Sequence, residues 1–531
     1  MILADATRPA TIGDTKEYLK DAFKLYIINK FRINLKFKLK KREQSIMPNS
    51  VETMQAPKIK KFPVSLITLL VLSLIGSIIM YNIHHVFIYL LAYYWFGLIF
   101  GLFLQYGHFC MSSAIRDLFA IRVARVAAGL MIALMIYAIV SAVSTGFGFL
   151  TFSPNSFAVT ALIGGAIFGF GIVFAGGCSS GSLYKSGEGN MVSWIVLFNL
   201  GLSQIVFAET SFGFLNYFIP KAWKAAAAQQ GIPKQYLHSW YDYFMTGYIF
   251  THRGYTMDDF VNFHNIWANA FISDALIEVI IPCTIVLVII YRIYHRKHYI
   301  SESKLEPKKI GFKNELKGIW SMIVQAKRTV YGGLGLGVFA GLNMFVLSYL
   351  RRVYHFINFG QILDKLGYTH GIALQGVFDP GYWYIATQEA QALAWVFEKL
   401  GWNLMNNVTF GFQNGIPNPL LNPPLLMSFG TIIGAAVMAL SFKEFSWKIP
   451  NLEAIIFAVF GGWFMGIGVR IGLGCNIGSF FVPVANGDPS GWVYFVGMII
   501  GSYFAVKAIS KWINYKSAKD LKELDNIEGF M

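Results

Sequence analysis

Two short loops hold two of the chain's four cysteines: GGCSSGS at 176–182 and LGCNIGS at 473–479. Aligned on Cys178 and Cys475 without a gap, their surroundings share the pattern G-G-x3-G-x-G-x5-G-C-x2-G-S. A thiol is a weak hydrogen-bond donor on a soft, polarizable atom. Glycines on either side, here Gly176, Gly177 and Gly181 in one loop and Gly474 and Gly478 in the other, leave backbone N–H groups open. Such N–H groups, with the positive end of a following helix, bind anions without a lysine. Ser179, Ser180, Asn476 and Ser479 add neutral donors, which hold a dianion loosely enough to release it. A third thiol, Cys110, lies in QYGHFCMSSAIRDLF (105–119), a polar stretch too short to span a bilayer. Three thiols in polar turns favour a soft, sulfur-bearing anion over chloride or phosphate. Cys283, inside VIIPCTIVLVII, reads instead as a small core hydrophobe.

Nearby charges have two readings. Arg116 beside the Cys110 turn can attract anions from inside, or simply pair with a neighbour such as Asp117; Arg470, before the second loop, has the same two roles open. Lys185 and Glu188 in YKSGEGN read as rim residues, and His108 is too isolated for a metal site. No cofactor or metal is expected. The chain has no C-x-x-C and no Walker-type loop, so neither dithiol redox chemistry nor ATP hydrolysis is suggested.

Composition says what must position these loops. The 531 residues are 55% hydrophobic and 14% charged, against about 25% charged in soluble proteins. Apolar runs long enough to cross a bilayer lie at 63–82, 86–104, 126–144, 157–175, 191–208, 270–291, 330–350, 424–442, 452–469 and 489–506. The fold class expected is an all-α polytopic membrane protein of about ten transmembrane helices, in an inverted repeat with short re-entrant cysteine-bearing loops. Ten spans place 35 of the 44 Lys and Arg on the side of the N-terminus. By the positive-inside rule that side is cytoplasmic, and both termini with it. The net charge of +16 is then a topology signal in a cell (inner) membrane, not a nucleic-acid surface. Spans four and nine run into Cys178 and Cys475 and, five crossings apart, run in opposite directions. Inverted repeats are typical of transporters with a site near the midplane.

The expected organisation is a basic cytoplasmic extension at 1–62, a first repeat at 63–208, a long outside loop at 209–269, an extra span with an inner linker at 270–329, a second repeat at 330–506 and a tail at 507–531. The extension carries apolar residues at helical spacing over 14–43 and reads as an amphipathic helix or a loose basic tail; no secretory signal opens it, and translation can equally start at Met47 or Met54. The outside loops 209–269 and 351–423 are rich in aromatics, and the second has an amphipathic helical pattern in WYIATQEAQALAWVFEKLGW. They read either as a cap over the outer mouth or as decoration. The 297-residue offset of the repeat takes Cys110 to Asn407, with no cysteine nearby.

The stretches YGHFCMSSAIRD, GGCSSGSLYKSGEGN and GLGCNIGSFF resemble the YeeE/YedE sulfur transport family, which includes thiosulfate transporters. The matching core covers most of 86–208 and 424–506. The resemblance implies an inverted-repeat helical fold with no enzymatic activity, in which cysteine-bearing loops meet along a central path and thiols pass thiosulfate by S–H···S contacts. It implies thiosulfate, or a close sulfur anion, as the solute, and the lipid bilayer as surroundings; a cytoplasmic sulfur-carrier protein is a further partner to consider. The extension and the long outside loops depart from the family's compact core. Two alternatives stay open: a membrane sulfurtransferase or thiol oxidoreductase using a cysteine persulfide, and a transporter of another inorganic anion or a selenium compound.

Overall fold

A computed structural model describes residues 64–149, 159–218, 265–303, 311–355, 359–368, 385–402, 416 and 418–529. The chain divides into two units, Met1–Lys60 and Lys61–Met531, and every described residue belongs to the second. The N-terminal extension and most of the loop 209–269, with the cap expected there, lie outside the described residues.

Helix is the dominant conformation, because a chain in hydrocarbon must satisfy its N–H and C=O groups within the segment. In order the helices are α1 (Val64–Ile83), α2 (Ile88–Gly107), α3 (Met111–Ala120), α4 (Arg125–Gly146), α5 (Val159–Ala175), α6 (Ser179–Gly187) and α7 (Met191–Phe218). A helix with π-type turns, α8 (Ile266–Glu302), leads to α9 (Phe312–Gln325). Then follow α10 (Lys327–Val353), α11 (Phe359–Lys365), α12 (Ile385–Lys399), α13 (Pro423–Ser441) and α14 (Leu452–Ile471). A short π turn and one helical turn, Ile477–Phe481 and Val482–Ala485, make α15, and α16 (Ser490–Gly529) closes the series. Among the described residues nine segments are long and apolar enough to cross a membrane, and the tenth expected span is apolar helix over Met191–Phe207. The chain is an all-α, multi-pass membrane protein. Its exterior agrees: Leu72, Ile79, Ile285 and Phe504 are each more than half exposed, as lipid-facing residues are.

Packing reveals the repeat directly. α2 packs on α13 as α4 packs on α10; α5 packs on α16 as α7 packs on α14. Two contacts are their own mirror images. α5 and α14 run antiparallel, with Gly164 against Gly468 and Gly472, and Gly171 against Gly461 and Met465. α2 and α10 also run antiparallel, with Gly107 against Gly332 and Phe103 against Gly335. The paired elements are therefore α2–α10, α3–α12, α4–α13, α5–α14, α6–α15 and α7–α16, and the repeat is inverted. The glycines before each cysteine loop serve as expected for packing: a Cβ on Gly165 would lie 2.3 Å from the Tyr494 carbonyl oxygen, and one on Gly462 3.0 Å from that of Val196.

The offset that sends Cys110 to Asn407 misses the mate of its turn. α3 contacts α4, α5 and α16; α12 contacts α13, α14 and α7, the equivalent set. The helix expected in 383–402 forms over Ile385–Lys399 and packs against core helices, because the residues inserted between α10 and α12 shift the register without changing the packing.

Candidate functional site

Each of the three thiols sits at the start of a helix. α2 ends at Gly107, and His108 turns the chain with left-handed angles (φ 46°, ψ 46°). Cys110 is extended and caps α3, and its carbonyl accepts the Ala114 N–H at 2.9 Å. Gly176, with φ +68°, ends α5; Cys178 then caps α6, and its carbonyl accepts the Ser182 N–H at 2.7 Å. In the second half the left-handed position falls to Leu473 (φ +58°), and the Cys475 carbonyl accepts the Ser479 N–H at 2.8 Å. A branched side chain in that conformation costs roughly 1–3 kcal/mol and persists where surrounding structure enforces it. Ser479 helps enforce it by donating its hydroxyl to the Gly472 carbonyl at 2.9 Å.

Cys110 and Cys178 come together. Their sulfurs are 3.8 Å apart, thiol–thiol contact rather than the ~2 Å of a disulfide, and all four cysteines are free. Cys178 Sγ also accepts the Gly181 N–H at 3.4 Å and lies 3.5 Å from Ser180 Oγ. Gly181 is required for the approach, since a Cβ there would stand 2.5 Å from Cys110 Sγ. Cys475 belongs to a second station, where its thiol faces the backbone N–H groups of Gly478, Ile477 and Ala386, the last at the start of α12.

Among the described residues, several donors around the thiols have no partner. Ser179 and Ser182 beside Cys178 are at most 1% exposed with unpaired hydroxyls, and Asn476 beside Cys475 is 1% exposed with both amide atoms unpaired. Ser179 and Asn476 occupy equivalent positions in the repeat. Tyr494, 0% exposed, also has an unpaired hydroxyl and lies within electrostatic reach of both Cys178 and Cys475. An unsatisfied buried polar group costs about 1–3 kcal/mol, so such a cluster calls for a ligand or a water as partner. Sequence reading missed Tyr494 because the equivalent residue in the first half is Leu197, so no repeat signal marks it.

The flanking charges are mostly engaged. Arg116 donates Nε and Nη2 to Asp117 Oδ1 at 3.1 and 3.0 Å, the simple pairing. Arg470 donates to Gln204 Oε1 at 2.9 and 3.2 Å and to Thr387 Oγ1 at 3.0 Å. Lys185 is no rim residue: its amine reaches back 2.6 Å to the Gly176 carbonyl and ties α6 to its own loop. Cys283 is fully buried in α8, as expected of a core hydrophobe.

At the end of the bundle reached by α2 and α6, a charged network joins the halves. Glu444 accepts Arg328 Nη2 at 2.9 Å and Gln105 Nε2 at 3.2 Å, and His108 Nε2 stands 3.6 Å away. Gln105 also donates to Glu188, which accepts Lys448 Nζ at 2.8 Å. Glu188 is thus 8% exposed rather than a rim group, and His108, isolated in sequence, has an acidic neighbour. Burial pushes the Glu444 carboxyl up, but His108 and Arg328 outweigh it and hold it at about 2. A depressed carboxyl stabilises the fold above its ordinary range and loses that contribution as pH falls through the lowered value. Glu444→Gln should therefore lower the melting temperature in detergent at pH 7, by about 1–3 kcal/mol of stability. The gap from wild type should shrink to less than half by pH 3; a gap independent of pH would count against this pairing.

The sulphur transport family matches residues 106–504. The thiosulfate transporter TsuA of Escherichia coli K12 is 23% identical over 79% of this chain and 93% of its own length. The thiosulfate transporter TsuA of Spirochaeta thermophila is 25% identical over 77% of this chain and 95% of its own. A probable transporter of Salmonella typhimurium, YedE, is 36% identical over 21% of this chain and 26% of its own. The match takes in all three thiol turns and the α5–α14 seam, and the chain belongs to the sulphur transport family of membrane proteins.

Proposed function

We propose that this protein takes up thiosulfate across the cell membrane by passing it between two thiol stations, Cys475 on the outer side and the Cys110–Cys178 pair on the inner. The observation that carries the reading is the set of unpaired buried donors around the thiols: Ser179, Ser182, Asn476 and Tyr494. Thiosulfate has a soft terminal sulfur and three hard oxygens. The thiols suit the sulfur; hydroxyls, the amide and the backbone N–H groups at the helix starts suit the oxygens. Tyr494, in reach of both Cys178 and Cys475, supplies a donor for the transfer. None of these groups carries a full positive charge, so binding stays weak enough for release. The names of the two long-matching relatives support thiosulfate as solute, and the third relative is named a probable transporter.

The positive-inside count supports cytoplasmic termini, with the Arg328–Glu444 network on the inner face and α12 on the outer. A soluble sulfur-carrier protein on the inner face completes the reading as recipient of the anion. The test is uptake of labelled thiosulfate into vesicles containing the purified protein. Uptake should saturate, compete with unlabelled thiosulfate, and resist excess chloride or phosphate. Equal competition by phosphate would remove the role given to the soft sulfur.

A further inference from the structure

Glu389 stands one turn into α12, the element that brings the Ala386 N–H to Cys475. Both of its carboxyl oxygens are buried and have no partner among the described residues. Its neighbours are all engaged: Thr387 with Arg470, and Gln388 and Gln391 with Asn422 at 2.6 and 2.9 Å. Glu389 lies close enough to Cys475 to act electrostatically on its thiol. A buried carboxylate without a partner is costly, and within a membrane protein such a group marks function more often than structure. Beside an anion site it poses a sharper problem, because an ionised Glu389 would repel the solute that the rest of the station is built to hold.

We propose that Glu389 is the proton carrier of the transport cycle, binding a proton from the outer side so that the site is neutral when the dianion passes Cys475. The proposal rests on the thiosulfate reading above. The proton leaves to the inner side after the anion has passed, and the carboxylate re-forms before the next cycle. At least one proton then enters with each anion, and part of the load's negative charge is neutralised in transit. The other ionisable groups on elements packed against α12 do not replace it. On α14 Arg470 is bonded to Gln204 and Thr387; on α6 Lys185 is bonded to the Gly176 carbonyl, and Tyr184 is buried beside the inner thiols. The described side chains of α7 and α13 include no ionisable group, and Glu398 and Lys399 of α12 itself lie at its far end.

The experiment uses the full chain in vesicles with a trapped pH-sensitive dye, so that labelled thiosulfate uptake and internal acidification are read together. Wild type should show both, with uptake rising as external pH falls, the direction expected of a site that must be protonated. Glu389→Gln should lower the ratio of protons to thiosulfate at least tenfold and flatten the pH dependence, while Glu389→Asp, which keeps an acid, should retain both. A Gln variant that is monodisperse but transports nothing supports the proposal if Asp restores coupled uptake. Thiosulfate uptake by wild type without acidification overturns the proton role and leaves the transport reading intact. Coupling that survives in the Gln variant, or an Asp variant no better than Gln, overturns it equally. Wild type that takes up no thiosulfate removes the transport reading and the proton role together.

Discussion

Cys178→Ala should lower thiosulfate uptake into vesicles about ten- to a hundredfold while the purified protein remains monodisperse. A hydrogen bond to a charged group is worth about 1.5–3 kcal/mol, and each 1.4 kcal/mol is a factor of ten. Removing Cys178 takes the donor from the solute and also the 3.8 Å partner from Cys110, so the inner station loses both sides of its contact. The fold should tolerate the change: Sγ accepts only one backbone N–H, at 3.4 Å, and the loop is held independently by the Lys185 amine. Cys178→Ser preserves a donor of similar size but replaces a soft atom with a hard one, so its defect should be intermediate. Cys475→Ala should also fail, since it removes the single thiol of the outer station among the described residues. Normal uptake by both alanine variants would end the relay.

The second large effect concerns assembly. Gly97→Val in α2 should yield protein that is aggregated, or that melts at least 10 °C below wild type. A Cβ on Gly97 would fall 2.0 Å from the Met427 carbonyl oxygen and 2.7 Å from its Cα, both backbone atoms that no rotamer change can move. The same seam continues at Gly101 against Thr431 and at Gly434 against Leu98, so α2 and α13 would have to separate along much of their length. Overpacking costs typically 1–3 kcal/mol, with the upper end expected where backbone meets backbone. Gly76→Val in α1 is the control: its Cβ meets nothing within 4 Å, and the variant should melt with wild type. Equal melting of both variants, as followed by size-exclusion chromatography after heating, would contradict close packing at this seam.

The helical spans were legible because hydropathy acts on whole segments, and the direction of the repeat followed from counting them. The glycine–cysteine pattern was legible because two loops performing one local task keep the same residues at the same spacing. The contact between Cys110 and Cys178 was not, since nothing in a separation of 68 residues states that two helix starts converge. α12 was legible as a helix but not as the mate of α3: a fixed offset cannot cross an insertion, whereas packing against three equivalent neighbours can. Tyr494 lay beyond repeat reasoning because it breaks the symmetry that the reasoning used, and Glu389 because it lies past the insertion, where the fixed offset no longer applies. Arg116 shows the converse. Its type and place left open an anion contact or a pairing with a neighbour, and sequence does not choose between them; in the structure the adjacent Asp117 takes its guanidinium.

The mirrored seams also bear on how the chain is made. α2 finds its long partner in α13, α4 in α10, and α5 in α14 and α16, so these three helices leave the ribosome with their glycine faces uncovered. A helix inserted early must wait for one synthesised some two to three hundred residues later before its backbone can be approached. The two repeats are therefore interlaced rather than joined end to end. A chain cut in the linker between them should give two fragments that are each unstable alone and recover a stable fold only when expressed together.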